Sequence, residues 1–120
     1  MGRIEKVNQQ LKREISLIIH QELSDPRLQF VTITAVDVSR DLRLAKVHFS
    51  VLGDEKKIKE SQESLSRAKG AIKKFIADRL DMRYIPDLEF YYDRSSEYSL
   101  QIEIALEEIK NESKKGHSGS

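Results

Sequence analysis

The sequence predicts an α+β domain, with a three-stranded mixed sheet and helices packed mainly on one face. Three observations predict it. Apolar residues recur at helical spacing in separated stretches, three short runs carry strand character, and the helical stretch between the second and third runs is long enough for a parallel crossover. The order reads α-β-β-α-(kink)-α-β-α, with strands one and two as an antiparallel hairpin and strand three parallel to strand two.

Ile4, Val7, Leu11, Ile15, Ile18 and Ile19 give the first helix its buried face. Arg3, Lys6, Gln10 and Arg13 form a neighbouring polar stripe, which reads either as a phosphate contact or as a solvated face. Ser24-Asp25-Pro26 closes this helix, because proline disfavours helical geometry in the residue before it. Phe30 to Ser39 is rich in Val, Ile and Thr, as strands are. Its alternation slips, since Val31 and Ile33 share one parity and Val36 and Val38 the other. Either a bulge lies near Ala35 or both faces are partly covered. Arg40-Asp41 supplies the turn. Ala45, Val47, Phe49 and Val51 then alternate with Lys46, His48 and Ser50, a strand with one buried face. Asp54, after Gly53, has the side chain of an N-cap.

Leu65 to Asp93 is the centre of the chain. At about 100° per residue, Leu65, Ala68, Ile72, Phe75, Ile76 and Leu80 line one helical face, and Arg67, Gly70 and Lys74 the opposite one. Lys69 falls inside the apolar stripe. A break at Ala68-Lys69-Gly70 would remove it, since glycine tolerates the backbone of a sharp turn. The alternative is a continuous helix in which Lys69 snorkels and Gly70 costs roughly 1 kcal/mol against alanine. The broken helix is the expectation taken forward. Pro86 ends helical character, and Leu88, Phe90 and Tyr92 alternate with Glu89, Tyr91 and Asp93 as the third strand. Ser95 or Ser96 can cap a last helix, with Ile102, Ala105, Leu106 and Ile109 as its stripe. Residues 1–110 form one domain in this reading, and residues 111–120, poor in apolar side chains, a disordered tail.

At 120 residues, 38% hydrophobic and 34% charged, the chain suits one soluble domain with a heavily charged surface. No apolar run approaches the length of a membrane span. The absence of cysteine excludes a disulfide scaffold and cysteine-based zinc sites and fits a cytoplasmic protein. A net charge of +1 argues against bulk attraction to nucleic acid, yet the charge is polarised. From Arg67 to Arg83 there are six Lys/Arg against two Asp/Glu, and from Pro86 to Ser113 two against eight. Such polarity can orient a protein on an anionic surface.

Catalytic patterns are missing. His20, His48 and His117 show no metal spacing, and there is no P-loop, Gly-x-Ser-x-Gly or His-Glu-x-x-His. Ser66-Arg67-Ala68-Lys69 matches Ser-x-x-Lys without the companion motifs of the enzymes that use it. Turn and capping roles account for Asp37, Asp41, Asp93 and Glu97 better than paired-acid chemistry does. The reading is a non-enzymatic protein with no cofactor and no metal.

The chain resembles the ribosome-binding factor A family. The resemblance spans about Arg3 to Ile109 and rests on Ser24-Asp25-Pro26-Arg27-Leu28, Val31-Thr32-Ile33-Thr34, Val36 to Leu42, Ala45-Lys46-Val47, Ala68-Lys69-Gly70, Met82 to Phe90 and Asp93-Arg94-Ser95. It implies a type II K-homology (KH-like) fold in which an Ala-x-Gly kink, here Ala68, Lys69 and Gly70, replaces the usual Gly-x-x-Gly loop. It also implies a monomeric factor that binds the small ribosomal subunit and its ribosomal RNA, acts late in RNA processing and matters most in the cold. Ribosomal proteins and other assembly factors are further expected partners. Relatives often carry Gly and Arg where this chain has Ser99 and Gln101. The RNA-binding residues expected are Arg3, Lys6, Arg13, Arg67, Lys69, Gly70, Lys73, Lys74 and Arg83, with readout mainly of shape. Tyr84, Tyr91 and Tyr98 are the aromatics that could stack on bases, but each is read rather as packing material. A protein-binding adaptor that uses the acidic last helix, and a domain for free single-stranded RNA, are the alternatives.

Overall fold

A computed structural model describes residues 2–94. Helix α1 spans Arg3–Leu17 and runs into a single π turn, Ile18–Glu22, whose last bond goes from the Leu23 N–H to the Ile18 carbonyl at 3.1 Å. The apolar stripe of α1 therefore extends through the π turn, with Leu11, Ile15, Ile18 and Ile19 buried. A short 3₁₀ turn at Pro26–Leu28 follows, and the Asp25 carboxylate accepts the Arg27 N–H at 2.9 Å at its start. Strands β1 (Val31–Val38) and β2 (Leu44–Val51), helix α2 (Glu55–Arg79) and strand β3 (Asp87–Tyr92) complete the described fold.

The sheet order is β1-β2-β3, with β2 antiparallel to β1 and parallel to β3. The parity slip in β1 is a bulge: the register shifts between Ile33 and Ala35. One extra residue returns Val36 and Val38 to the face already occupied by Val31 and Ile33, so all four are buried. With Ala45, Val47, Phe49, Leu88 and Phe90 they make an apolar sheet face, and α1 and α2 lie on it. Both edge strands are held by side chains of the covering helices. Asn8 Oδ1 accepts the Val38 N–H at 2.8 Å, and Gln62 Nε2 donates to the Phe90 carbonyl at 2.6 Å. These contacts blunt edges that would otherwise offer free backbone groups.

The expected break in the long helix is not found. Residues 55–79 are helical throughout, and Gly70 does not have positive φ. Lys69 explains why no break is needed. It stands half-buried at the margin of the stripe, and its charge acts on the carboxylate of Asp87 at the start of β3. A long aliphatic stem thus follows the apolar surface while the ammonium meets an anion. The helix begins as expected, with Asp54 Oδ1 accepting the Lys57 N–H at 3.0 Å. It ends at Arg79, before Leu80 and well before Pro86. Gly53, at φ +151°, does require glycine: an added Cβ would lie 2.8 Å from Lys57 Cβ. The last helix and the tail expected from sequence lie outside the described residues.

The β1–β2 turn carries the one non-glycine positive φ among the described residues, Leu42 at +60°. A branched side chain in that region costs roughly 1–2 kcal/mol. Local bonds hold it there. Leu42 N–H donates to the Ser39 carbonyl at 2.9 Å, and Ser39 Oγ both donates to Asp41 Oδ1 (2.6 Å) and accepts the Leu44 N–H (3.0 Å).

Candidate nucleic-acid interface

Because α1 and α2 cover the same sheet face, their solvent sides form one outer surface of the molecule. Lys6 and Arg13 on α1, and Arg67, Gly70 and Lys74 on α2, are exposed there. Glu63 reaches Arg67 at 3.6 Å, one helical turn away. A pair this open holds its cation weakly, so Arg67 can exchange it for another anion. Arg3 and Arg83 are exposed as well, but they face a different feature, described below.

Lys69 and Lys73 are placed otherwise. Both lie half-buried on the side of α2 that faces β3. Lys73 Nζ donates to Asp87 Oδ1 at 2.7 Å. That hydrogen bond, then the Lys73 charge and then that of Lys69, hold the Asp87 carboxyl below its ordinary value. Lys73 is therefore a structural tie between helix and strand, not the free surface cation that the sequence suggested.

A concavity of about 840 Å³ lies where the N-terminal half of α1, the β1–β2 turn and residues 81–87 meet. The Asp87 N–H donates to the Arg43 carbonyl at 2.8 Å, which ties the turn to the start of β3 and fixes one wall. Arg3, Arg43 and Arg83 line it, and the Arg83 guanidinium sits 5.5 Å from the ring centre of Tyr84. Tyr84 is 70% exposed, so it is not packing material. Two of the carboxylates here have internal partners. Asp87 holds Lys73, and Asp41 is kept below its ordinary pKa by the Ser39 hydroxyl and the Arg43 N–H.

Sequence reasoning passed over Arg43, and it named Tyr84 but preferred packing to base stacking for it. A signal for Tyr84 was present: it falls between the end of the α2 stripe and Pro86, where no periodic apolar face includes it. Arg43 carried none, because its place beside residues 81–87 depends on the register of β3 on β2, which strand pattern alone does not give. Tyr91 lies on the open sheet face, beside His48 at 5.9 Å between ring centres. Its hydroxyl donates to Glu89, which raises the Tyr91 pKa. Tyr98 is outside the described residues. Among the described residues no group of His, Asp or Glu side chains is arranged to hold a metal ion, and no helix is long and apolar enough to cross a membrane. What the outer surface offers is exposed cations, the side-chain type that contacts phosphates.

Comparison with known proteins agrees with the fold. The family model for ribosome-binding factor A matches residues 3–106. Ribosome-binding factor A of Macrococcus caseolyticus is 49% identical over 110 residues, covering 92% of this chain and 96% of the relative. The crystal structure of ribosome-binding factor A from Thermus thermophilus superposes with a TM-score of 0.68 at 34% identity, over 77% of this chain and 97% of that one. A homology model of the Thermus thermophilus factor, fitted into the electron cryomicroscopy map of its complex with the 30S subunit, matches with a TM-score of 0.62 at 36% identity, over 73% and 92% of the two chains. This chain belongs to the ribosome-binding factor A family.

Proposed function

We propose that this protein is a non-enzymatic assembly factor of the small ribosomal subunit. It binds the immature subunit and its ribosomal RNA in the cytoplasm and assists late RNA processing, with the greatest need in the cold. The observation that carries the reading is the relative of matching fold, 36% identical, fitted into a 30S complex. The physical account is a rigid wedge. Helices fixed on a sheet hold Lys6, Arg13, Arg67 and Lys74 at set separations, so they neutralise phosphates of RNA that is itself folded. Arg3 and Arg83 extend this contact at the groove, and Lys69 stands at its margin.

Co-sedimentation with immature and mature small subunits tests the reading. The expected outcome is salt-sensitive binding with preference for the immature particle. A chain that sediments with neither would overturn it.

A further inference from the structure

We propose that the groove between α1, the β1–β2 turn and residues 81–87 is a subsite for one unpaired RNA base, stacked on Tyr84, with its flanking phosphates on Arg3, Arg43 and Arg83. This rests on the reading of the chain as an RNA-contacting factor and adds a base-sensitive site to a surface otherwise suited to shape.

Four observations support it. Tyr84 is 70% exposed, with the Arg83 guanidinium 5.5 Å from its ring centre, so a splayed base would stack on the ring surface that the guanidinium leaves open. Behind it, Val7, Leu42 and Ile85 give an apolar floor that would exclude water from a stacked base. The volume, about 840 Å³, lies within the roughly 300–1,000 Å³ range of ligand-sized clefts. Finally, the charge is available to an anion. Among the described residues, Arg3 and Arg83 form no ion pair, and the charge of Arg43 acts on Asp41, which like Asp87 is already engaged internally. Asp81 is the remaining carboxylate in the groove. Leu42, held at φ +60° beside Arg43, shows that the turn keeps a costly conformation at this wall.

The test uses the full chain and three stem-loop RNAs that differ at one position: a bulged adenosine, an abasic bulge, and a fully paired stem. Fluorescence anisotropy at fixed salt should show the adenosine bulge bound roughly 5- to 150-fold tighter than the abasic one, the range that stacking of one base supplies. Tyr84→Ala should abolish that ratio, and Tyr84→Phe and Tyr84→Trp should keep it. The Tyr84→Trp emission should be quenched by the adenosine bulge and not by the abasic one. Arg43→Gln should weaken the adenosine and abasic bulges alike, the paired stem less, and flatten the log–log salt dependence of bulge binding by about one unit. Equal affinity of the parent chain for bulged and abasic RNA, binding of none of the three, or a ratio that survives Tyr84→Ala would overturn the subsite. If the parent chain still co-sediments with small subunits in such a case, the functional reading stands without it. Loss of co-sedimentation in Tyr84→Ala without discrimination among the RNAs would assign the groove to a protein contact and also overturn the proposal.

Discussion

Lys73 and Asp87 show how one contact changes the meaning of a residue. On the helical wheel Lys73 flanks the outward cations; in the fold it is bonded to Asp87 at 2.7 Å. The Asp87 carboxyl is held below its ordinary value of 3.8, mainly by that hydrogen bond. A carboxylate with a depressed native pKa contributes stability that is fully present above the unfolded value and is lost as pH falls through the native one. Urea unfolding followed from pH 6 down to pH 2 should therefore show a decline below about pH 4 that is shallower in Asp87→Asn. In the same assay at neutral pH, Lys73→Glu, which sets an acid against Asp87, should lower the urea midpoint more than Lys74→Glu does. Equal midpoints would mean that the bond does not contribute to folding in solution.

At the scale of elements, two glycines should respond in opposite directions to the same substitution. Gly70 is exposed inside a continuous helix, and an added Cβ would meet nothing within 4 Å. Gly70→Ala should stabilise the protein by up to roughly 1 kcal/mol. Gly53 has φ +151° with Lys57 packed against it, so Gly53→Ala should destabilise by about 1 kcal/mol or more. Calorimetric melting of both variants checks the pair, and a destabilised Gly70→Ala would restore the broken helix. Arg79 makes a third case. Its side chain is 26% exposed and binds Glu14 of α1 at 3.3 Å and Glu22 of the π turn at 2.7 Å. Arg79→Met should cost roughly 1–2 kcal/mol in urea unfolding, because two charge-assisted bonds between α2 and the α1 layer are lost. The same elements show what was legible in advance. Strict alternation made β2 and β3 plain, and a parity slip in β1 left a bulge as one of two readings, of which the register shift selects the bulge. The misplaced kink had a physical source: helical geometry assigns Lys69 an angle but says nothing of Asp87, which arrives from β3 and makes that angle tolerable. The π turn was invisible because its residues continue the apolar stripe of α1 without a break in pattern.

For the whole molecule, the proposed function poses the question of which surface would meet the ribosome. Single-helix patterns could pick out cations on each element, but not that α1 and α2 present theirs on one side, nor that β2–β3 pairing builds a groove from Arg43 and Tyr84. Both follow from the packing of helices on a shared sheet face. Arg67 and Lys74 test the outer surface directly, since neither is buried and neither holds a strand. Arg67→Glu with Lys74→Glu should fold, at a cost of about 0.5 kcal/mol or less per site. The first of these changes sets an acid one turn from Glu63, which adds roughly a few tenths of a kcal/mol of like-charge repulsion and no more. Lys73 is left intact so that stability and binding stay separable. Each lost phosphate contact forfeits counterion release, so co-sedimentation with small subunits should fall steeply. The log–log salt slope should flatten by roughly 0.7–0.9 per contact removed. Reversal of Arg3, Lys6 and Arg13 serves as the comparison on α1 and should weaken binding less. A folded Arg67/Lys74 double variant that sediments with small subunits at unchanged salt sensitivity would move the contact away from α2, and a larger loss from the α1 variant would place it there.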